Sequence, residues 1–140
     1  MLLANKLKSH PNSLFMRTKD GCEYCIEIQG LLIGIENPEG SVREGEGWKT
    51  TYFHPYGFIA GTKGADDEEI DCFVGNHPDS EDVYIVNQQV DGQFDEHKVM
   101  LGFDNQEAAR DAYLAHYDTQ ELLGSITHMP ISEFKKSIGL

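Results

Sequence analysis

Positive charge is what this 140-residue sequence has least of: 11 Lys and Arg face 24 Asp and Glu, a formal charge of −13 at pH 7. A surface that negative repels phosphate polymers and anionic lipid, so no nucleic-acid partner is expected and no membrane partner either. Long apolar runs are missing as well. No stretch approaches the roughly 20 residues of a membrane span, and Met1-Leu2-Leu3-Ala4 is broken at once by Asn5 and Lys6. Neither a span nor a signal peptide is expected, and the reading is a cytoplasmic protein. Cysteine is scarce too: Cys22, Cys25 and Cys72 are an odd number, which in a reducing compartment predicts thiols rather than bridges. No internal repeat and no low-complexity tract is present.

What the sequence does hold suits one compact domain. Hydrophobic residues make up 39% and charged ones 25%, a globular and not a disordered composition. Residues 1–25 read as a polar leader with turn signals at His10-Pro11-Asn12-Ser13 and Lys19-Asp20-Gly21, and residues 26–140 as a single domain. All glycines but Gly124 and Gly139 precede residue 103, so the chain turns often until then and rarely afterwards. A β body with a helical tail follows from that split. Strands are predicted over Cys25 to Glu36, Trp48 to Phe53, Phe58 to Ala60, Ile70 to Val74, Val83 to Gln88 and Lys98 to Gly102. Short strands at that spacing favour a small barrel. Asp104-Asn105-Gln106-Glu107 has the form of a capping box, and Ala108, Ala109, Ala112, Tyr113 and His116 or Tyr117 recur on one side of a helix ending near Tyr117. A last helix is predicted from Ser132 to about Ile138.

The chemistry concentrates between two strands. Asp66-Asp67-Glu68-Glu69-Ile70-Asp71 places five carboxylates in six residues, which repel one another unless a cation or solvent relieves them. Hard divalent ions take oxygen ligands, and a segment entering a strand can aim Asp66 and Glu68 at one point, with Asp71 joining after the bend. A solvated acidic turn is the plain alternative. Upstream, Trp48 to Ile59 supplies phenols and Lys49, with Arg43 and Lys63 close in sequence. Downstream, Asp91-Gly92-Gln93-Phe94-Asp95-Glu96-His97-Lys98 reads as a hairpin tip mixing carboxylates with a base. Acids gather metal and bases gather phosphate, which suits transfer of a phosphoryl group to water. Cys22-Glu23-Tyr24-Cys25 lacks the second ligand pair of a zinc site, Cys72 reads as core, His54 and His97 as rim residues, and Trp48 as a packing anchor.

These residues resemble the family I soluble inorganic pyrophosphatases, and more closely the shorter pyrophosphatase-like domain of phage and mobile-element proteins. Tyr52 to Asp71 is similar to the family's Tyr-Pro-x-x-Tyr-Gly-Tyr-Ile followed by Asp-Gly-Asp-Pro-x-Asp, with Tyr56 and Asp66 at the matching separation. Ile33 to Arg43 resembles the strands that carry the family's active-site Glu and a phosphate-binding base. Phe94 to Phe103 and Met129 to Lys136 resemble the mobile-element version, so the likeness runs from about Gln29 to Gly139. The resemblance implies an α+β fold, a small five-stranded OB-like β-barrel with C-terminal helices, that hydrolyses pyrophosphate with Mg²⁺ as cofactor. Carried over, Asp66, Glu68, Asp71, Asp91 and Glu96 hold metal, and Glu68 orients or deprotonates the attacking water. Arg43, Tyr56 and Lys98 bind phosphate oxygens, with Lys49 a further candidate, and Glu36 is a water-holding acid. Lys135 or Lys136 stands where the family has a Tyr-Lys pair. The family's central Asp is Glu68 here, about 1.5 Å longer, and Asp67 and Glu69 replace the Gly and Pro beside it. That departure keeps an alternative open: a weak or inactive module that binds a phage or host protein, in the host cytoplasm or on the virion. A homo-oligomer is also left open.

Overall fold

A computed structural model describes residues 17–18, 21–22, 24–64 and 67–140. The predicted leader falls mostly outside the described residues, and so does Asp66. The described chain is mostly β. Its elements run β1 (Arg17–Thr18), β2 (Gly21–Cys22), β3 (Cys25–Ile28), β4 (Leu31–Asn37), β5 (Val42–Gly45), β6 (Trp48–Thr51), β7 (Tyr56–Ile59), β8 (Ile70–Val74), β9 (Asp82–Val90), β10 (Gln93–Leu101), α1 (Gln106–Ala115), β11 (Leu123–Pro130) and α2 (Ile131–Ser137). No helix among the described residues is long and apolar enough to cross a membrane.

Seven strands form one mixed sheet in the order β11-β9-β10-β8-β7-β4-β3, while β5 with β6 and β1 with β2 form separate two-stranded ladders. This overturns the expected five-stranded OB-like barrel. Among the described residues β3 and β11 end the sheet without pairing to each other, so the sheet is open. Strand spacing in a sequence reports how many short strands there are, but closure depends on whether the outermost strands meet. The strand predicted from Cys25 to Glu36 is also two strands. Gln29 (φ 50°) and Gly30 (φ 82°) take the consecutive positive φ values of a tight hairpin turn, folding β3 back on β4. β11 was not expected at all: most of its residues are exposed or half-buried, so it carries no apolar alternation to read.

Alternation sorts the central strands into two layers. Tyr56, Phe73, Tyr84, Val86 and Met100 pack on one face beneath α1, whose Ala109, Ala112 and Tyr113 are buried. Ile33, Ile35, Ile59, Cys72, Val74, Ile85, Val99 and Leu101 pack on the other beneath Phe134 of α2. The cap of α1 falls one residue later than the Asp104 to Glu107 capping box predicts: Asn105 Oδ1 accepts the Ala108 N–H at 2.8 Å, so no Glu completes a box. Two features bring β4, β7, β8 and β10 into the register the site needs. Gly57 lets β7 lie close to β4, because a Cβ there would overlap the Gly34 carbonyl. The parallel pairing of β10 with β8 sets Lys98 opposite Asp71.

Candidate active site

Lys98 is fully buried, with 0% exposure. An ammonium in that position is tolerated only if its charge and its hydrogens are all answered. Its Nζ lies 2.9 Å from Asp71 Oδ2 and 2.6 Å from Glu96 Oε1, and donates to the Tyr56 hydroxyl at 2.6 Å. The hydroxyl in turn donates to Asp71 Oδ2 at 2.9 Å. Burial by itself pulls the Lys98 pKa down, but Asp71 and Glu96 outweigh it and hold it above the usual lysine value. The same burial, reinforced by Asp71, pushes the Tyr56 phenol well up, so it stays a donor. Two carboxylates around one ammonium leave a formally negative, oxygen-lined corner.

Four further groups, none of them assigned to the site from the sequence, close the corner from β9, β10, α1 and the turn that follows α1. The Tyr113 hydroxyl donates to Gln88 Oε1 at 2.6 Å, and Gln88 Nε2 donates to Asp95 Oδ2 at 3.1 Å. Tyr117 stacks beside Tyr113, with ring centroids 4.5 Å apart. Its pKa is driven up by burial and then by Asp71 and Glu96, which places its phenol in their field. Asp95 reaches this face because the β9–β10 register shifts between Phe94 and Glu96; a bulge there turns two consecutive carboxylates, Asp95 and Glu96, inward. The Ala-Tyr stripe of α1 was legible only as an apolar face, since periodicity does not reveal what a phenol oxygen meets.

Of the residues predicted from sequence, the structure gathers Tyr56, Asp71, Glu96 and Lys98. Glu36 is 2% exposed at the end of β4 and acts electrostatically on Tyr52. Arg43 on β5 acts electrostatically on the Tyr52 phenol, whose pKa burial pushes up to about 12 against the pull of Arg43. Other predicted residues lie elsewhere. Glu68 is exposed in the β7–β8 loop, where its carbonyl accepts from Gly64 N–H at 2.6 Å. Asp91 (φ 53°) and Gly92 (φ 77°) form the exposed tip between β9 and β10. Lys49 and Lys136 are exposed. Lys135 lies against Gly30, at the turn between β3 and β4, so neither C-terminal lysine joins the corner.

His97 falls on the opposite face, as β10 alternation requires, and its Nδ1 is 2.9 Å from Asn87 Oδ1. The cysteine expectation holds for Cys72, a buried free thiol, and fails for Cys25, which is disulfide-bonded. An odd count leaves at least one thiol over but does not forbid a bridge.

The gathered donors are carboxylate and phenol oxygens, the set a hard cation such as Mg²⁺ takes. Asp71 uses Oδ2 for both of its hydrogen bonds, which leaves Oδ1 for such an ion. Among the described residues no three His, Cys, Asp or Glu side chains are grouped closely enough to hold a metal by themselves. A family model described as Inorganic Pyrophosphatase matches residues 20–139. No curated protein and no solved structure matches the chain.

Proposed function

The chain belongs to the inorganic pyrophosphatase family, and from that premise we propose that it hydrolyses pyrophosphate to two phosphates with Mg²⁺ as cofactor. The observation that carries the reading is the buried Lys98 held among Tyr56, Asp71 and Glu96. The buried ammonium supports that reading as a fixed positive charge in a low-dielectric corner, and a phosphate oxygen would reach it or the Tyr56 hydroxyl by displacing a carboxylate that now takes their hydrogens. Lys98, Tyr56 and Arg43 bind those oxygens, and Tyr117 extends the row of phenols. Asp71 and Glu96 are the carboxylates that would hold Mg²⁺, with Asp66 and Glu68 as the further ligands the family resemblance implies; bound there, the ion would neutralise oxygen charge and lower the pKa of water.

Glu36 and Glu68 orient the attacking water. Its oxygen bonds to one phosphorus, the bridging P–O bond breaks, the leaving phosphate takes the bond's electron pair, and the water proton passes to a carboxylate. Residues 26–140 are the working unit, in the cytoplasm. A second reading, an inactive module that binds a phage or host protein, is favoured by the exposure of Glu68.

A phosphate-release assay across Mg²⁺, Mn²⁺, Zn²⁺ and Co²⁺ separates the two. The enzyme reading expects Mg²⁺-dependent release from pyrophosphate, increased in Glu68→Asp by up to about a hundredfold if the longer side chain misplaces its carboxylate by an ångström. No release with any metal, in either protein, leaves the module.

A further inference from the structure

The segment that carries Tyr52 and leads into Tyr56 at the start of β7 is not a strand. β6 ends at Thr51 and β7 begins at Tyr56. Between them, Tyr52 is tied by its backbone to Gly40 and Ser41, and the Pro55 carbonyl accepts from Val74 N–H. Phe53, in the middle, gains little from burial, because its side chain is 53% exposed. What holds Phe53 is a side chain from the end of α1: His116 Nε2 accepts the Phe53 N–H at 3.0 Å.

His116 caps the C-terminal end of α1 and is 2% exposed. Its Nδ1 lies 2.7 Å from the Ala112 carbonyl. A carbonyl only accepts, so Nδ1 carries the proton and Nε2 has the lone pair that Phe53 uses. One neutral tautomer therefore satisfies both contacts, and the Phe53 contact is lost if the ring loses its acceptor. The ring is wedged among Phe73 (centroids 4.5 Å apart), Phe53 (5.7 Å) and Tyr52 (5.9 Å). Tyr52 stacks on Tyr56 at 5.8 Å, and Tyr56 packs on Phe73 at 4.6 Å.

We propose that His116 is a positioning residue: by gripping the Phe53 amide it sets the direction of Tyr52 and Tyr56, and so the shape of the phenol-lined seat for pyrophosphate. The proposal rests on the pyrophosphatase reading for its substrate, but not for the positioning itself. His116 touches no reacting atom. Its effect belongs in substrate binding, transmitted through the two tyrosines.

The test compares His116→Phe, which keeps an aromatic ring and loses the acceptor, with His116→Gln, whose amide oxygen can reach the Phe53 N–H. In the full chain with Mg²⁺, His116→Phe is expected to raise KM for pyrophosphate about tenfold with kcat little changed, and His116→Gln to restore most of it. Ring-proton NMR signals of Tyr52 and Tyr56 in the free protein are expected to move in His116→Phe and return in His116→Gln. If His116→Phe does not fold, His116→Asn, too short to reach Phe53, takes its place. A folded His116→Phe with unmoved tyrosine signals and unchanged KM overturns the proposal, as does a Gln variant that restores neither. Wild-type protein that releases no phosphate, while the tyrosine signals still move and return, overturns the pyrophosphatase reading and leaves the positioning role standing.

Discussion

The two faces of the seven-stranded sheet are built from the same strands and differ in almost everything else. On β8, Asp71 faces Lys98 and the next residue, Cys72, faces aliphatic core. On β10, Glu96 and Lys98 point to one side and Val99 and Leu101 to the other. The first face buries charge and answers it with charge, phenol and amide; the second buries Ile, Val and Leu and needs no answer. An open cleft of about 670 Å³ lies on the aliphatic face, lined by residues that include Ile85, Val99, Met129 and Phe134. The lesson is that alternation along a strand separates the part of this molecule that can act on an anion from the part that holds it together.

Adjacent residues on one strand give the sharpest way to break that contrast. Asp71→Asn keeps the shape of the side chain but removes a charge partner from a buried lysine. It is expected to lower phosphate release about a thousandfold, the scale of losing a preorganised electrostatic group. Cys72→Ala, one residue along, should leave turnover within about twofold while costing some stability, since it only deletes a buried sulfur. Steady-state phosphate release from the two purified variants checks this. Equal losses in both would mean that the faces do not divide function as argued.

The aliphatic face should fail in the opposite manner. Ile33 is 0% exposed and packs in the layer beneath α2, so Ile33→Ala is expected to destabilise the fold by about 2–5 kcal/mol through lost burial and a residual cavity. Urea unfolding measures it. Specific activity of the protein that remains folded should match wild type, and a drop in kcat of the folded fraction would tie the two faces together.

Much of this division could be read before any coordinates. The alternation of Glu96-His97-Lys98-Val99 and of Asp71-Cys72-Phe73-Val74 is a period-two pattern, and the polar run Asp104 to Glu107 announced the start of α1 to within a residue of its Asn105 cap. Four of the predicted site residues come together because that pattern places them on one face. The rest required information that is not local. The turn at Gln29-Gly30 lies within an apolar run that a straight strand would explain equally well. Asp91 and Asp95 are both acids near one hairpin, and only the shifted register at Phe94 and Glu96 turns Asp95 inward while Asp91 stays at the tip. Barrel closure depends on two edges far apart in sequence, and a match in motif says nothing about whether they meet.

The smallest expected effect concerns acid, and it again sets one face against the other. His116, in the polar layer, has its pKa lowered to about 4, chiefly by burial, with His54 adding to the drop and the Ala112 carbonyl opposing it. In the unfolded chain the same imidazole titrates near 6.5. Between those values the unfolded chain binds a proton that the folded one refuses, so its stabilising contribution is complete above pH 6.5 and is lost as pH falls toward 4. The loss amounts to about 3 kcal/mol in all. His54, half-buried beside it with a pKa lowered by burial, adds a smaller slope of the same sign. His97, on the other face, is exposed, and solvent leaves it little to contribute even though desolvation lowers its pKa. Unfolding free energies measured from pH 7 to pH 4 should therefore fall in wild type, fall much less in His116→Gln, and fall as in wild type in His97→Gln. Parallel curves for wild type and His116→Gln would show that the imidazole is not held neutral between the Ala112 carbonyl and the Phe53 amide.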